Sequence, residues 1–343
     1  MPKNIVVFSD GTGQEGGKAH NTNVYKLFNM VEDRTDRQVT FYDRGLGTGW
    51  RKFSGSVAGA GISKNIKECY RFIFEEFNAG DQLYLFGFSR GATTVRSLSS
   101  FLHLFGILPK SRPELIDDAY AIYAIGDHDK RDREAADFVR RHHNMWTRVR
   151  FLGVWDTVAA LGIPLQAIDV VLDKLPFFRH RYQDLRLSKS VEHARQALAV
   201  DDERKLFQPV IWDARLEDYQ TMQQVWFCGM HTDVGGGYAE QQLSDIALAW
   251  MRDEAVRHGL RIYPRHKVEL HPDADGVMHD SRGTALTRLY RRAVRRWNAA
   301  THGRPLVHES VLQRQPGPDN SKDTPYKPWI LAQDYDVWRS GPH

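Results

Sequence analysis

Leu83-Tyr84-Leu85-Phe86-Gly87-Phe88-Ser89-Arg90-Gly91-Ala92-Thr93-Thr94-Val95-Arg96-Ser97-Leu98 runs from an apolar strand through a tight turn into a helix. The turn carries Gly87-x-Ser89-x-Gly91, the pattern of a nucleophile elbow in the strand, turn and helix setting that gives it meaning. Its two glycines let the strand and helix backbones approach closely, which pushes Ser89 outward. The hydroxyl then stands at a helix N-terminus, where backbone N–H groups and the positive end of the helix dipole favour a developing oxyanion. Five residues with three fixed positions recur by chance, and the flanking strand and helix lift this copy above a glycine-rich turn.

The chain of 343 residues is 41% hydrophobic and 11% aromatic, ample for a core, and fits one large α/β domain with insertions over 1–343 better than two domains. Met1-Pro2-Lys3-Asn4 runs straight into Ile5-Val6-Val7-Phe8, too short an apolar run for a secretory signal and without a small-residue cleavage site. No segment approaches the roughly 18 apolar residues of a membrane span. A cytoplasmic location is expected, with export by a route that needs no N-terminal signal left open. Cys69 and Cys228 have neither disulfide-framework nor metal-site spacing, so both are expected as buried apolar residues. With 47 basic against 43 acidic residues, the net charge of +4 is compatible with an anionic partner surface without requiring one.

The pattern along the chain reads as strand 5–8, a glycine-rich loop 9–18, a helix near 22–32 and a strand over 38–42. A second glycine-rich stretch, 45–61, is expected as an active-site loop, and the apolar spacing of Ile66, Cys69, Tyr70, Ile73, Phe74 and Phe77 predicts a helix over 62–78. After the elbow come charged helices over 113–145 and strands at 149–155 and 224–229, and a proline-rich surface loop is expected at 315–328. Alternating strands and helices predict a doubly wound, mostly parallel sheet. Sites in such sheets form outside the carboxyl ends of the strands, so Ser9-Asp10, Ser89, Asp156 and His231, each directly after an apolar strand, are expected to converge.

A serine hydroxyl needs a base within hydrogen-bond reach and an acid to orient that base. The α/β-hydrolase order is serine, acid, histidine. Asp156, in Gly153-Val154-Trp155-Asp156-Thr157-Val158, lies 67 residues after Ser89, and His231, in Met230-His231-Thr232-Asp233-Val234-Gly235-Gly236-Gly237-Tyr238, lies 75 after Asp156. Asp156 competes with a role as helix cap or turn former, and His231 with a role as a satisfied loop histidine. His308 is the rival base, and Asp201, Asp202 and Asp233 are the rival acids.

For the oxyanion hole the candidates are the backbone N–H of Arg90 and one from Gly11 or Thr12, in the loop after the first strand. Asp10 and Asp233 are supporting residues, with Asp10 suited to tying loops together through local hydrogen bonds. A phosphatase-like D-x-D-G-T reading of the first loop fails because Phe8 stands where the nucleophilic aspartate belongs. Gly235-Gly236-Gly237 lacks the spacing of a dinucleotide fingerprint. No cofactor and no metal is assigned.

Phe8-Ser9-Asp10-Gly11-Thr12-Gly13, Asn21-Thr22-Asn23-Val24, Gly87-Phe88-Ser89-Arg90-Gly91-Ala92, Val154-Trp155-Asp156-Thr157-Val158 and His231-Thr232-Asp233-Val234-Gly235-Gly236-Gly237-Tyr238 together resemble the bacterial type VI secretion phospholipase effectors of the first lipase-effector family, and related uncharacterised α/β-hydrolase proteins. The resemblance implies an α/β-hydrolase fold, phospholipid ester hydrolysis, and the triad of Ser89 as nucleophile, Asp156 as acid and His231 as base. Effectors of that family tend to be longer, with an added membrane-anchoring module.

Ile163-Pro164-Leu165-Gln166-Ala167-Ile168-Asp169-Val170-Val171-Leu172 and Leu175-Pro176-Phe177-Phe178 suggest a cap insertion over 160–190, a pattern shared by ordinary core helices. Residues 245–343 are expected as a helical and loop extension. Within it, Ala285–Trp297 separates apolar and arginine residues onto opposite faces of a predicted helix, suited to peripheral contact with anionic lipid or simply to solvent. No nucleic-acid partner is expected. The expected function is a serine esterase or lipase acting on carboxylic esters, with lipid or phospholipid acyl esters foremost. A catalytically silent α/β scaffold binding a protein or an anionic surface is the alternative, and a thioesterase or amidase shares the triad.

Overall fold

Val6, Val7, Phe8, Leu85, Phe86, Phe151 and Leu152 all lie out of contact with water, as strands do when a parallel sheet is covered on both faces. The computed structural model describes residues 2–11, 17, 20–45, 55–158, 185–283, 291–315 and 325–340, with 55–60 and 206 as backbone only. Among them, β1 (Asn4–Ser9), β2 (Gln38–Asp43), β3 (Gln82–Phe88), β4 (Val149–Trp155), β5 (Val191–Ala199), β6 (Thr221–Phe227), β7 (Leu306–His308) and β8 (Asp336–Trp338) form one sheet in the order β2-β1-β3-β4-β5-β6-β7-β8. Every pairing between these strands is parallel. The doubly wound α/β-hydrolase-like class read from the sequence is the class observed.

Helices cover the two faces. On one side α2 (Gly55–Glu76), α3 (Arg90–Phe105), α4 (Leu115–Tyr123) and α5 (His128–His142) enclose a core that includes Cys69, Tyr70, Leu85 and Phe101. On the other, α1 (Asn23–Met30), the short α6 (His231–Gly235) and α7 (Gln242–Arg257) enclose Phe8, Phe86, Trp155, Trp226 and Met251. The chain runs from β1 outward to β2 and then back across β1 to β3, so the topological switch lies between β1 and β3. A crevice opens there at the strand carboxyl ends, and both Ser9 and Ser89 lie at it.

Four expectations change. Residues 55–61, read as loop, are the first turns of α2, because the amphipathic pattern that follows carries the helix back through a run whose alanine and serine residues tolerate it. The extension after residue 245 is more than helix and loop, since β7 and β8 widen the sheet. β5 was not anticipated, because Glu192, His193, Arg195 and Gln196 interrupt its apolar run. Arg291–Trp297 is extended, not helical: Ala293, Arg295 and Trp297 turn inward while Arg292, Val294 and Arg296 face water, a period of two. The cap insertion falls largely on 159–184 and the proline-rich loop largely on 316–324, both outside the described residues, as are 285–290.

The elbow depends on the backbone approach that its glycines allow. A Cβ at Gly87 would stand 2.5 Å from the carbonyl oxygen of Gly91, and one at Gly91 would run into the carbonyl of Ser9. In each case the obstacle is backbone held by sheet and helix. Gly91→Ala is therefore expected to lower stability by about 1–3 kcal/mol, read from the midpoint of urea unfolding; an unchanged midpoint would show that β1 and α3 separate freely.

Candidate active site

Ser89 occupies the residue between β3 and α3 with φ 57° and ψ −118°, a conformation a non-glycine residue adopts only when its surroundings impose it. It is the N-cap of α3, yet its side chain makes no capping hydrogen bond. The hydroxyl lies instead 2.8 Å from His231 Nε2, and His231 Nδ1 lies 2.6 Å from Asp156 Oδ2. Asp156 and His231 are buried while Ser89 remains half-buried. The three side chains singled out in the sequence are thus in one hydrogen-bonded line, each from a different strand end: β3, β4 and the α6 start that follows β6.

Backbone bonds fix their supports. Ser89 N donates to the Trp155 carbonyl at 3.1 Å, and Asp156 N to that of Ala197 at 2.8 Å. Asp156 also sits at positive φ, 38°. Rings of Phe88 and Phe207 flank the His231 imidazole at centroid distances of 4.7 and 5.1 Å. The His231 backbone N–H donates to Asp202 Oδ2 at 3.3 Å, and Asp202 is itself clasped by Arg204.

The sequence did not reveal Arg295. Its guanidinium, fully buried, donates from one terminal nitrogen to Asp156 Oδ1 at 2.6 Å and from the other to Asp156 Oδ2 at 2.8 Å. The same nitrogens reach the carbonyls of Ala199 and Phe207, each at 2.6 Å. The Ala199 N–H donates to Asp156 Oδ1 at 3.0 Å. Burial alone would raise the Asp156 carboxyl, but the charge and hydrogen bonds of Arg295, joined by His231, hold it well below the ordinary carboxylate range. An ionised Asp156 can only accept, which favours the His231 tautomer with its proton on Nδ1 and its Nε2 lone pair toward Ser89. The alternation that turns Ala293, Arg295 and Trp297 inward shows only in the structure, because an arginine stands at the buried position while Val294 faces water.

Arg90 opens α3, so its N–H belongs to the first helical turn, which has no intrahelical acceptor. Gly11, the second oxyanion candidate, lies beside Ser89, but its N–H donates to Asp10 Oδ1 at 2.7 Å. Thr12 lies outside the described residues. Asp10 ties loops together by accepting also from the hydroxyls of Thr22 and Tyr42, both at 2.6 Å. Asp233 holds the ring of His279 at 2.7 Å and the backbone N–H groups of Met230 and His279, so it braces the loop and does not touch the His231 ring.

The rival residues are engaged elsewhere. His308 is stacked between Phe227 and Trp338 and bonded to Ser310, and burial pushes it down to about 4. Asp201 accepts from Tyr326 and Gly229 N. Both cysteines are free and buried. Among the described residues no cluster of three metal-ligating side chains occurs, and no helix is long and apolar enough to cross a membrane. A cavity of about 360 Å³ has Thr93 and Thr157 in its lining, next to the elbow and to Asp156, with Arg96 and Trp212 farther along.

With this geometry in place, comparison with known proteins gives a family. Residues 3–254 match the catalytic domain of the Tle1-like phospholipase effectors of the type VI secretion system. The chain belongs to this family. An uncharacterised protein of Saccharomyces cerevisiae, YEL023C, is 27% identical over 230 residues, 60% of this chain and 32% of that protein. The chain thus spans about a third of that relative's length. Among solved structures, an uncharacterised Pseudomonas aeruginosa protein is similar at TM-score 0.47 and 16% identity, covering 78% of this chain and 48% of its own. A Tle1 effector bound to the VgrG spike of a type VI secretion system is similar at TM-score 0.36 and 20% identity, over 70% and 52% of the two chains. The thermophilic esterase Est2 of the planctomycete Thermogutta terrifontis is similar at 0.41 and 13%, over 77% and 86%.

Burial raises the Asp10 carboxyl from 3.8 to about 6 against the hydrogen bonds of Thr22, Tyr42 and Gly11. The folded protein therefore takes up a proton at Asp10 between about pH 4 and 6, and its contribution to stability is complete below that window and lost as pH rises through it. Asp10→Asn is expected to gain about 2 to 3 kcal/mol relative to the parent between pH 4 and pH 7. Urea melts at the two pH values measure this difference, and a difference flat with pH would place the proton uptake elsewhere.

Proposed function

We propose that this Tle1-like chain is a serine hydrolase that cleaves carboxylic esters through an acyl-enzyme, with lipid or phospholipid acyl esters as substrates. The observation that carries the reading is the continuous line from Ser89 Oγ to His231 Nε2 and from His231 Nδ1 to Asp156, at 2.8 and 2.6 Å. Family membership supports a lipase- or esterase-type activity on a lipid substrate and a role as a type VI secretion effector.

Ser89 Oγ attacks the ester carbonyl carbon as His231 Nε2 takes its proton. The negative charge that develops on the carbonyl oxygen faces the start of α3, where the Arg90 N–H and the helix dipole stabilise it. Collapse of the tetrahedral intermediate breaks the carbon–oxygen bond to the alcohol, which leaves with the proton from His231 Nε2. Water then attacks the acyl-enzyme by the same route in reverse, releasing the carboxylic acid and restoring Ser89. Asp156 stays ionised throughout, holding the ring in the productive tautomer.

Ser89→Ala is expected to lower turnover on p-nitrophenyl esters or phospholipid vesicles by about 10³-fold or more while leaving the unfolding midpoint unchanged, and to abolish labelling by a fluorophosphonate probe. Full activity of Ser89→Ala on every ester hydrolysed by the parent would overturn the mechanism. A folded parent chain that neither turns over these substrates nor labels at Ser89 would instead favour a silent scaffold.

A further inference from the structure

Arg295 lies beyond the stretch matched by the family, in a segment anchored on both sides of it. Lys205 N donates to the Arg291 carbonyl at 2.9 Å and Ala293 N to that of Glu203 at 2.7 Å. The Arg292 side chain is doubly bonded to Glu203, at 2.6 and 2.7 Å. On the other side, Trp297 packs edge-on against Trp226 at 5.9 Å and donates to the Gly303 carbonyl at 2.7 Å. An arginine delivered between two such anchors has little freedom to leave its partner.

We propose that Arg295 is the positioning residue of this site: its fork holds both oxygens of Asp156, setting the plane in which the carboxylate meets His231 and cancelling most of its charge. The proposal rests on the triad reading above. A planar guanidinium bonded to both oxygens leaves the carboxylate one orientation, which a point charge would not enforce. Ala199 N and the Ala199 and Phe207 carbonyls complete the cage. The C-terminal segment thereby becomes part of the active site.

The second consequence is electrostatic. A lone buried carboxylate would draw a proton onto the adjacent imidazole and remove the base as pH falls. With Arg295 bonded across it, the pair is close to neutral. Asp202, which accepts from the His231 backbone N–H, forms a second balanced pair with Arg204, and the charges of Asp202 and Asp201 also reach Arg295. Removing Arg295 alone upsets that balance and raises the affinity of the Asp156–His231 couple for its next proton, whichever atom holds it.

The test compares the full chain with Arg295→Gln, Arg295→Lys and Ser89→Ala across pH 5 to 9 on one soluble ester, with rates normalised to serine titrated by fluorophosphonate. Arg295→Gln removes the charge, so the acid limb of kcat/KM is expected to move up by about one pH unit, with kcat reduced on the order of 10²-fold. Arg295→Lys keeps the charge without the fork, so kcat falls while the limb stays near that of the parent. Variants that match the parent in kcat and limb per labelled serine would overturn the proposal, as would a loss of kcat in Arg295→Gln with an unmoved limb. Should Arg295→Gln not fold, Arg295→Lys decides: parent kcat overturns the proposal and a loss of kcat at unchanged KM supports it. Turnover retained by Ser89→Ala would instead bring down the triad reading itself.

Discussion

The carboxylate of Asp156 is removed from water altogether, and the rest of the site is arranged around that fact. Burying an ionised carboxylate costs several kcal/mol even after the protein relaxes, and removing one partner of a buried pair typically costs about 3–5 kcal/mol. Four elements answer that demand at once. β4 carries the carboxylate, the end of β5 supplies the Ala199 N–H, α6 supplies the His231 ring, and the extended segment 291–297 supplies Arg295. In the proposed reading, the His231 and Arg295 side chains that meet this demand also hold the reacting groups. Stability and geometry here are the same set of bonds, so the site does not loosen without cost to the fold.

Strain is concentrated at the same place. Ser89 and Asp156 both sit at positive φ, an expense of the order of 1–3 kcal/mol each for residues with a side chain. The two are cross-linked through adjacent strands, Ser89 N to the Trp155 carbonyl and Asp156 N to that of Ala197. The sheet core on either face holds β3, β4 and β5 in register and thereby imposes both conformations. The result is a serine at a helix start that does not cap its helix, leaving its oxygen to meet a base.

Much of this was legible in the sequence where the signal is local. The elbow is written in the sixteen consecutive residues Leu83–Leu98, because a close backbone approach demands glycine at Gly87 and Gly91 whatever the rest of the chain does. Asp156 and His231 could be found because an apolar strand announces where it ends and a parallel sheet gathers its strand ends. β5 escaped because its polar residues are satisfied sideways, Arg195 by Glu254 and Gln196 by Thr157 and Gln224, and such partners lie far off in the chain. Arg295 escaped for a related reason. Arginines and apolar residues over 285–297 fit a helical period about as well as a period of two, and the partner that decides between them stands 139 residues away.

The charge balance of the site follows from these placements. Two carboxylate–arginine pairs, Asp156 with Arg295 and Asp202 with Arg204, meet His231 at its ring and at its backbone N–H, and each pair is nearly neutral on its own. The Arg204 guanidinium lies 3.5 Å over the Phe207 ring, whose edge in turn faces His231, so the pairs are joined to the base through one aromatic wall. In a weakly polarisable interior, any unbalanced charge in this shell would favour one protonation state of His231 before substrate arrives. In the mechanism proposed above, a neutral shell leaves the imidazole to take its proton only as negative charge appears on the substrate oxygen. Imidazolium and oxyanion would then compensate each other across Ser89, and the shell would support that ion pair as it forms without having invited it earlier.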